Sequence, residues 1–222
     1  MIKYIIKKAF SPFLIILIRT NIRLIRERYI LLKNQKKLSK NVAQKENANT
    51  PIFIEFGSTT PRKNWITIDV AQGADIILDI TCEFPLKSNC VDKIYTSHLL
   101  EHFQYKDLIQ ILNEFYRILK IGGELSICIP DATIYIDAYQ RNDEDLKSAL
   151  NNLGYFDHPF TRIDLLNYIA YMGSVHKYMF EFENIESILN VVGFNKVCKR
   201  EFEHKMDLEI RRDESIFVLA VK

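Results

Sequence analysis

Cysteine is sparse and scattered. Cys82, Cys90, Cys128 and Cys198 form no C-x-x-C pair, so no metal centre of clustered thiolates is expected and no residue is assigned as a metal ligand. With no secretory signal, these residues read as reduced thiols of a cytoplasmic protein. No long apolar run is present either. Phe13 to Ile18 is a stretch of six residues closed by Arg19, against the ~20 that a membrane span requires. Lys7 and Lys8 precede it much as in a signal peptide, but no small-residue cleavage site follows. Acids are nearly missing from the first 50 positions, where 12 Lys and Arg face only Glu27 and Glu46, a net +10. The remainder, with 18 bases and 26 acids, carries −8. A basic arm on an acidic body points to a separate partner for the arm, such as an anionic membrane surface. The acidic body argues against nucleic acid, whose phosphates it would repel. It also lacks the N/D-P-P-Y/F motif that amino-methylating enzymes of that type keep after strand four.

What is there begins with a helix. Ser11-Pro12 reads as an N-cap and a first-turn proline. Ile18, Ile22, Ile25, Tyr29 and Leu32 then recur at spacings of four and three, with Arg19, Arg23, Arg26 and Lys33 one residue on. One account packs this apolar stripe on the body, filling in for a helix missing elsewhere. The other lays residues 11–36 on anionic lipid at the inner membrane. The chain thus divides into a basic helical arm (1–36), a polar linker (37–50) and one domain (51–222).

Within the domain, strand-like runs appear at Ile52–Phe56, Trp65–Val70, Ala74–Leu78, Val91–Thr96, Glu124–Ile129, Lys196–Glu203 and Ser215–Val221. Amphipathic helices are expected at Tyr105–Lys120, stopped by Gly122-Gly123, at Arg162–Tyr171, introduced by Thr161, and at Phe182–Val192, stopped by Gly193. This order predicts an α/β, Rossmann-like fold: a mainly parallel seven-stranded sheet with helices on both faces. Only eight residues, Gly57–Asn64, separate the first two strands. That is short for a parallel crossover, so the first crossover helix should be reduced.

Ligands of such sheets sit at the carboxyl ends of the strands. There lie Gly57 and Ser58, then Asp69, Asp79, Ser97 with His98, and Asp131. An acid closing the second strand can accept both hydroxyls of a ribose, and one after the third can take an adenine amino group. In this order they describe an adenosine pocket.

The stretch IEFGSTTPRKNWITID resembles the opening of small methyltransferases that use S-adenosylmethionine, a class I type often found with bacterial surface-polysaccharide genes. The similarity continues through ADIILDI, FPLKSNCVDKIYTSHLLEHF and EFYRILKIGGELSICIPD, and closes with RRDESIFVLAVK. Members share the short first crossover. The resemblance implies S-adenosyl-L-methionine as cofactor, with Gly57 and Ser58 at its amino-acid moiety, Asp69 at the ribose, Asp79 at the adenine, and Ser97 and His98 beside the sulfonium. It implies methyl transfer to a small-molecule or glycan acceptor. Thr59 and Asn64 replace two glycines of the pattern. Asn tolerates positive φ, whereas β-branched Thr59 crowds the loop. The alternative is therefore a degenerate, methyltransferase-like binding or scaffolding module.

A hydroxyl acceptor benefits from a base. Candidates are His102, His158 and His176, with Asp131. The last two histidines belong to an insertion, 131–180, expected to form a substrate lid. Glu101 reads better as a cap for the helix that follows.

Overall fold

Strand-forming runs pair into one sheet in the computed structural model, which describes residues 12–154 and 157–222. β1 (Phe53–Phe56), β2 (Trp65–Asp69), β3 (Ile76–Ile77), β4 (Val91–Ser97) and β5 (Leu119–Pro130) run parallel. β7 (Ser215–Val221) is antiparallel between β5 and β6 (Asn195–Lys199), giving the order β3-β2-β1-β4-β5-β7-β6. This is the α/β, Rossmann-like architecture the sequence predicts. The winding direction reverses between β1 and β4, the place where such sheets open a crevice at their carboxyl edge.

The period of two sorts side chains sharply. Ile54, Phe56, Ile66, Ile68, Ile94, Leu125, Ile127, Val218 and Ala220 share one side and are all buried. Against them pack α2 (Tyr105–Ile118), through Leu108, Ile111, Leu112, Phe115 and Ile118, and α6 (Phe182–Val192), through Ile185, Ile188 and Leu189. Phe56 meets Phe115 and Phe84 at centroid distances of 4.5 and 5.1 Å.

The opposite side carries Glu55, Thr67, Tyr95, Ser126 and Phe217. Helices were expected here too. Among the described residues none contributes to its buried cluster, which is closed by Phe202 and Met206 of the segment before β7. The side chains explain the change. Arg200 donates to Ser126 Oγ (2.8 Å) and to both oxygens of Asp207 (2.6 and 2.7 Å), and the Tyr95 hydroxyl donates to Asp207 Oδ1 (2.9 Å). Polar sheet residues need partners of this kind rather than an apolar helix.

α1 (Pro12–Asn47) is continuous, so the linker expected at 37–50 is helical through Asn47. Polar composition hid two anchors four residues apart, Leu38 and Val42, which are buried in the apolar core. Lys37 donates to Asp75 O, Ser39 to Pro85 O and Lys45 to Asn64 O, fastening this half of α1 beside β3. It packs on the apolar side of the sheet, while the crossover 57–64 contains no helix. The stripe named from sequence does not do this. Ile22, Ile25, Tyr29 and Leu32 are 60, 69, 66 and 48% exposed. Ser11 and the side chains of Ile18, Arg19, Arg23 and Arg26 lie outside the described residues, as do Tyr155 and Phe156.

Two further boundaries differ. α2 ends at Ile118 and β5 starts at once, because Lys222 donates to the carbonyls of Tyr116 (2.6 Å) and Leu119 (2.8 Å), acceptors that a helix end leaves open. The region 131–180 holds α3 (Ala132–Arg141) and α4 (Glu144–Asn151), not foreseen, besides α5 (Asp164–Tyr171). Tyr135, Ala138, Leu150, Leu165 and Tyr168 join α3, α4 and α5 into a separate small core.

Candidate active site

At the carboxyl edge, Gly57 has φ +84°, and a Cβ there would lie 3.1 Å from Leu99 Cβ. Glycine thus lets the β1 and β4 loops close on each other. Ser58 Oγ is engaged locally, donating to Thr60 O and accepting from Thr60 N. Thr59 is absent from the residues with positive φ, whereas Asn64 has φ +70°. The crowding expected of Thr59 is relieved by Gly73, where a Cβ would stand 2.4 Å from Thr59 O. Half-buried Asp69 accepts from Ala71 N through Oδ1 (2.7 Å), and its Oδ2 makes no hydrogen bond among the described residues. Exposed Asp79 accepts from Thr81 N and Oγ1. Both acids therefore close turns, and Asp69 keeps an oxygen for a ligand.

A cavity of about 170 Å³ opens past β4 and β5, lined by His98, Glu101, His102, Tyr135, Tyr168, His176, Arg211 and Glu214 among others. Its floor is the turn Leu100–His102, pinned by Leu100, which is fully buried. Its wall is the segment around His176. Glu101 O accepts from Lys177 N (2.7 Å) and Tyr178 N (3.2 Å), so backbone bonds hold floor and wall together. The predicted bases His102 and His176 meet here, ring centroids 5.3 Å apart. His102 Nδ1 lies 3.3 Å from Val175 O and His176 Nδ1 2.9 Å from Ile169 O. A carbonyl only accepts, so each Nδ1 carries the proton and each Nε2 a lone pair.

Glu101 corrects the sequence reading. It caps no helix, since α2 begins at Tyr105 after Gln104. It is 2% exposed, and neither carboxylate oxygen has a hydrogen-bond partner. Burial pushes its carboxyl up to about 8. Burial, reinforced by the Arg211 charge, drives His98 down to about 3, and burial also lowers His176. The 3.6 Å approach of His98 Nδ1 to Glu101 Oε1 is accordingly a contact of two neutral groups at pH 7. His98 Nε2 pairs with Ser215 Oγ at 2.8 Å. Two non-glycine residues lining this cavity, His98 and Met172, have positive φ (46 and 36°), the backbone strain that functional sites hold.

Other candidates fall elsewhere. Ser97 neighbours the Tyr95 hydroxyl and the Cys128 thiol on the polar face. Asp131 caps α3, accepting from Thr133 N and Oγ1. His158 is exposed, with Nδ1 at 2.9 Å from Pro159 O, and does not line the cavity.

Residues 58–127 match the methyltransferase domain family. The matched methyltransferase-domain segment contains Asp69, Asp79, His98, Glu101 and His102. It leaves α1 and His176 outside. No curated protein matches the chain. Solved structures similar to it include a SAM-dependent methyltransferase from Archaeoglobus fulgidus (14% identity, 85% of this chain and 94% of that one, TM-score 0.47). Another is a SAM-dependent methyltransferase from Thermotoga maritima (18%, 90% and 97%, TM-score 0.48). A third is phosphoethanolamine N-methyltransferase 2 of Haemonchus contortus with S-adenosyl-L-methionine (12%, 78% and 48%, TM-score 0.49), of which this chain spans about half.

Glu101 had a usable signal: His98, Glu101 and His102 are spaced i, i+3, i+4, which a helical turn gathers on one side. Arg211 and Glu214 had none, since only the antiparallel return of β7 brings them to the cavity.

Proposed function

We propose that the chain transfers a methyl group from S-adenosylmethionine to a hydroxyl of a small-molecule or glycan acceptor. The observation that carries this reading is the pairing, across the β1–β4 reversal, of an available Asp69 carboxylate with a cavity presenting two imidazole lone pairs. The residues fit the cofactor. Asp69 would hold the ribose hydroxyls, Asp79 would face the adenine, and Gly57 with Ser58 would follow the amino-acid end. When bound, the cofactor supplies a methyl group activated on a sulfonium. His102 and His176 supply bases for the acceptor proton. Tyr135 and Tyr168, with rings 5.5 Å apart, offer flat surface for a sugar.

Titrating S-adenosylhomocysteine into the whole chain tests the reading. Binding is expected, and Asp69→Ala should weaken it by about 1.5–3 kcal/mol, the worth of charge-assisted hydrogen bonds. Unchanged affinity in a folded Asp69→Ala variant overturns the pocket assignment. A degenerate scaffolding module is the second reading. Leu99, packed over Gly57, and the engaged Ser58 hydroxyl favour it, and no binding at millimolar ligand would establish it.

The exposed stripe Ile22, Ile25, Tyr29 and Leu32, in an arm of net +10, supports docking on an anionic membrane surface, where lipid-linked sugars and polysaccharide precursors would be at hand. No helix of the described residues is long and apolar enough to cross a membrane. The whole chain should sediment with anionic vesicles, less so in high salt. Equal sedimentation of an Ile22→Glu, Ile25→Glu double variant would remove the arm from that role.

A further inference from the structure

We infer that Glu101, His102 and His176 form a binding site for one divalent transition-metal ion of the zinc type, with an open coordination position facing the cavity. Each offers a ligand atom, and the three atoms lie within 4.8 Å of one another. In a tetrahedral zinc site with bonds of about 2.0–2.1 Å, ligand atoms stand about 3.3 Å apart. Small side-chain rotations close that difference.

The chemistry of the donors agrees. Both imidazoles have Nδ1–H on a backbone carbonyl, Val175 O or Ile169 O. That outer bond fixes the tautomer and orients Nε2 as a metal-ligating histidine requires. The carboxylate is the stronger argument. A buried group with two unpartnered oxygens is rare in folded proteins and calls for an explanation; a cation between Glu101 and the two Nε2 atoms would supply it. Two histidines and one glutamate leave a zinc ion with a fourth position for water or a substrate oxygen. Nitrogen donors disfavour magnesium and calcium. Arg211 is the one nearby cation lining the cavity among the described residues, and its Nη1 is paired with Glu214 Oε1 at 2.5 Å.

With the ion bound, both Nε2 lone pairs are taken up as ligands, and an acceptor hydroxyl at the open position would be acidified by the ion rather than by an imidazole base; that use rests on the methyl-transfer reading, but metal binding does not. The test therefore measures binding alone. The whole chain, stripped with chelator, is titrated with Zn²⁺ by calorimetry and with Co²⁺ by visible absorption, beside a separate titration with S-adenosylhomocysteine. One equivalent should bind, with a Co²⁺ band of low coordination number. Glu101→Gln and His176→Ala should each weaken binding by at least about tenfold, and His158→Ala should leave it unchanged. Circular dichroism and the S-adenosylhomocysteine titration identify variants that misfold, and His102→Ala serves if His176→Ala is one. Binding of less than half an equivalent, or equal affinity in folded Glu101→Gln and His102→Ala, overturns the site. Absence of S-adenosylhomocysteine binding by the unaltered chain, with metal binding intact, would reject the methyltransferase reading and keep the metal, circular dichroism then serving as the check on folding.

Discussion

The two faces of the sheet are held by different physics. One is apolar and takes helices: α2, α6 and the second half of α1 bury Leu, Ile and Phe side chains without direction-dependent contacts. The other carries Glu55, Tyr95 and Ser126, and takes an irregular segment that reaches Tyr95 and Ser126 with Asp207 and Arg200, while Arg62 of the crossover 57–64 reaches Glu55. Arg62 lies 2.9 Å from Glu55 Oε2, donates to Met206 O, and sits over the Trp65 and Tyr95 rings. One side chain of the helixless crossover thus struts the polar face. Apolar packing tolerates substitution of similar volume; the polar side depends on partners in fixed geometry.

The contrast can be broken from either side. The largest loss is expected on the apolar face, where Phe115→Ala should cost about 3–5 kcal/mol in denaturant unfolding and Phe115→Leu much less. On the polar face, Asp207→Ala should cost about 3 kcal/mol, because it leaves the largely covered Arg200 guanidinium without its carboxylate partner. There even the near-isosteric Asp207→Asn should be damaging. A loss for Asp207→Asn as small as for Phe115→Leu would erase the distinction.

Acid should find the polar face first. Burial pushes the Asp207 carboxyl up, but hydrogen bonds from Arg200 and Glu203 N–H and the Arg200 charge hold it below its ordinary value. Its stabilisation is therefore complete above the unfolded pKa of about 3.9 and fades as pH falls through the lower folded value. Unfolding curves of Asp207→Ala should lose part of their dependence on pH below about 4; an unaltered acid limb would show the pair to be inert.

Within α1 the same comparison runs along one helix. Leu38→Ala should destabilise by about 2–5 kcal/mol, and Ile25→Ala by less than about 0.5, measured by thermal unfolding without lipid. Smallest among the packed positions, Lys222→Ala should cost about 1.5 kcal/mol by freeing the carbonyls at the end of α2.

The strands and the long helices were legible because period and turn residues agree: α6 spans the expected Phe182–Val192 and stops at Gly193, with φ +115°. Leu38 and Val42 were not, since two apolar residues in a polar run carry no period. α3 and α4 were obscured by mixed residues whose small core forms only when α5 joins. At the site, the sequence points to His102 and His176 but reads Glu101 as a cap. The spacing of Glu101 from His98 and His102 groups the three residues but does not say whether the carboxylate points to solvent or inward; the burial of Leu100 decides it.

Glu101 O, which takes both Lys177 N–H and Tyr178 N–H, ties the turn after β4 to the wall of the cavity by two amides. Those amides make the site readable in time. Their hydrogen–deuterium exchange is governed by the opening that parts His102 from His176. Slow exchange would mark a cavity already assembled when ligand arrives, and fast exchange one that assembles around it.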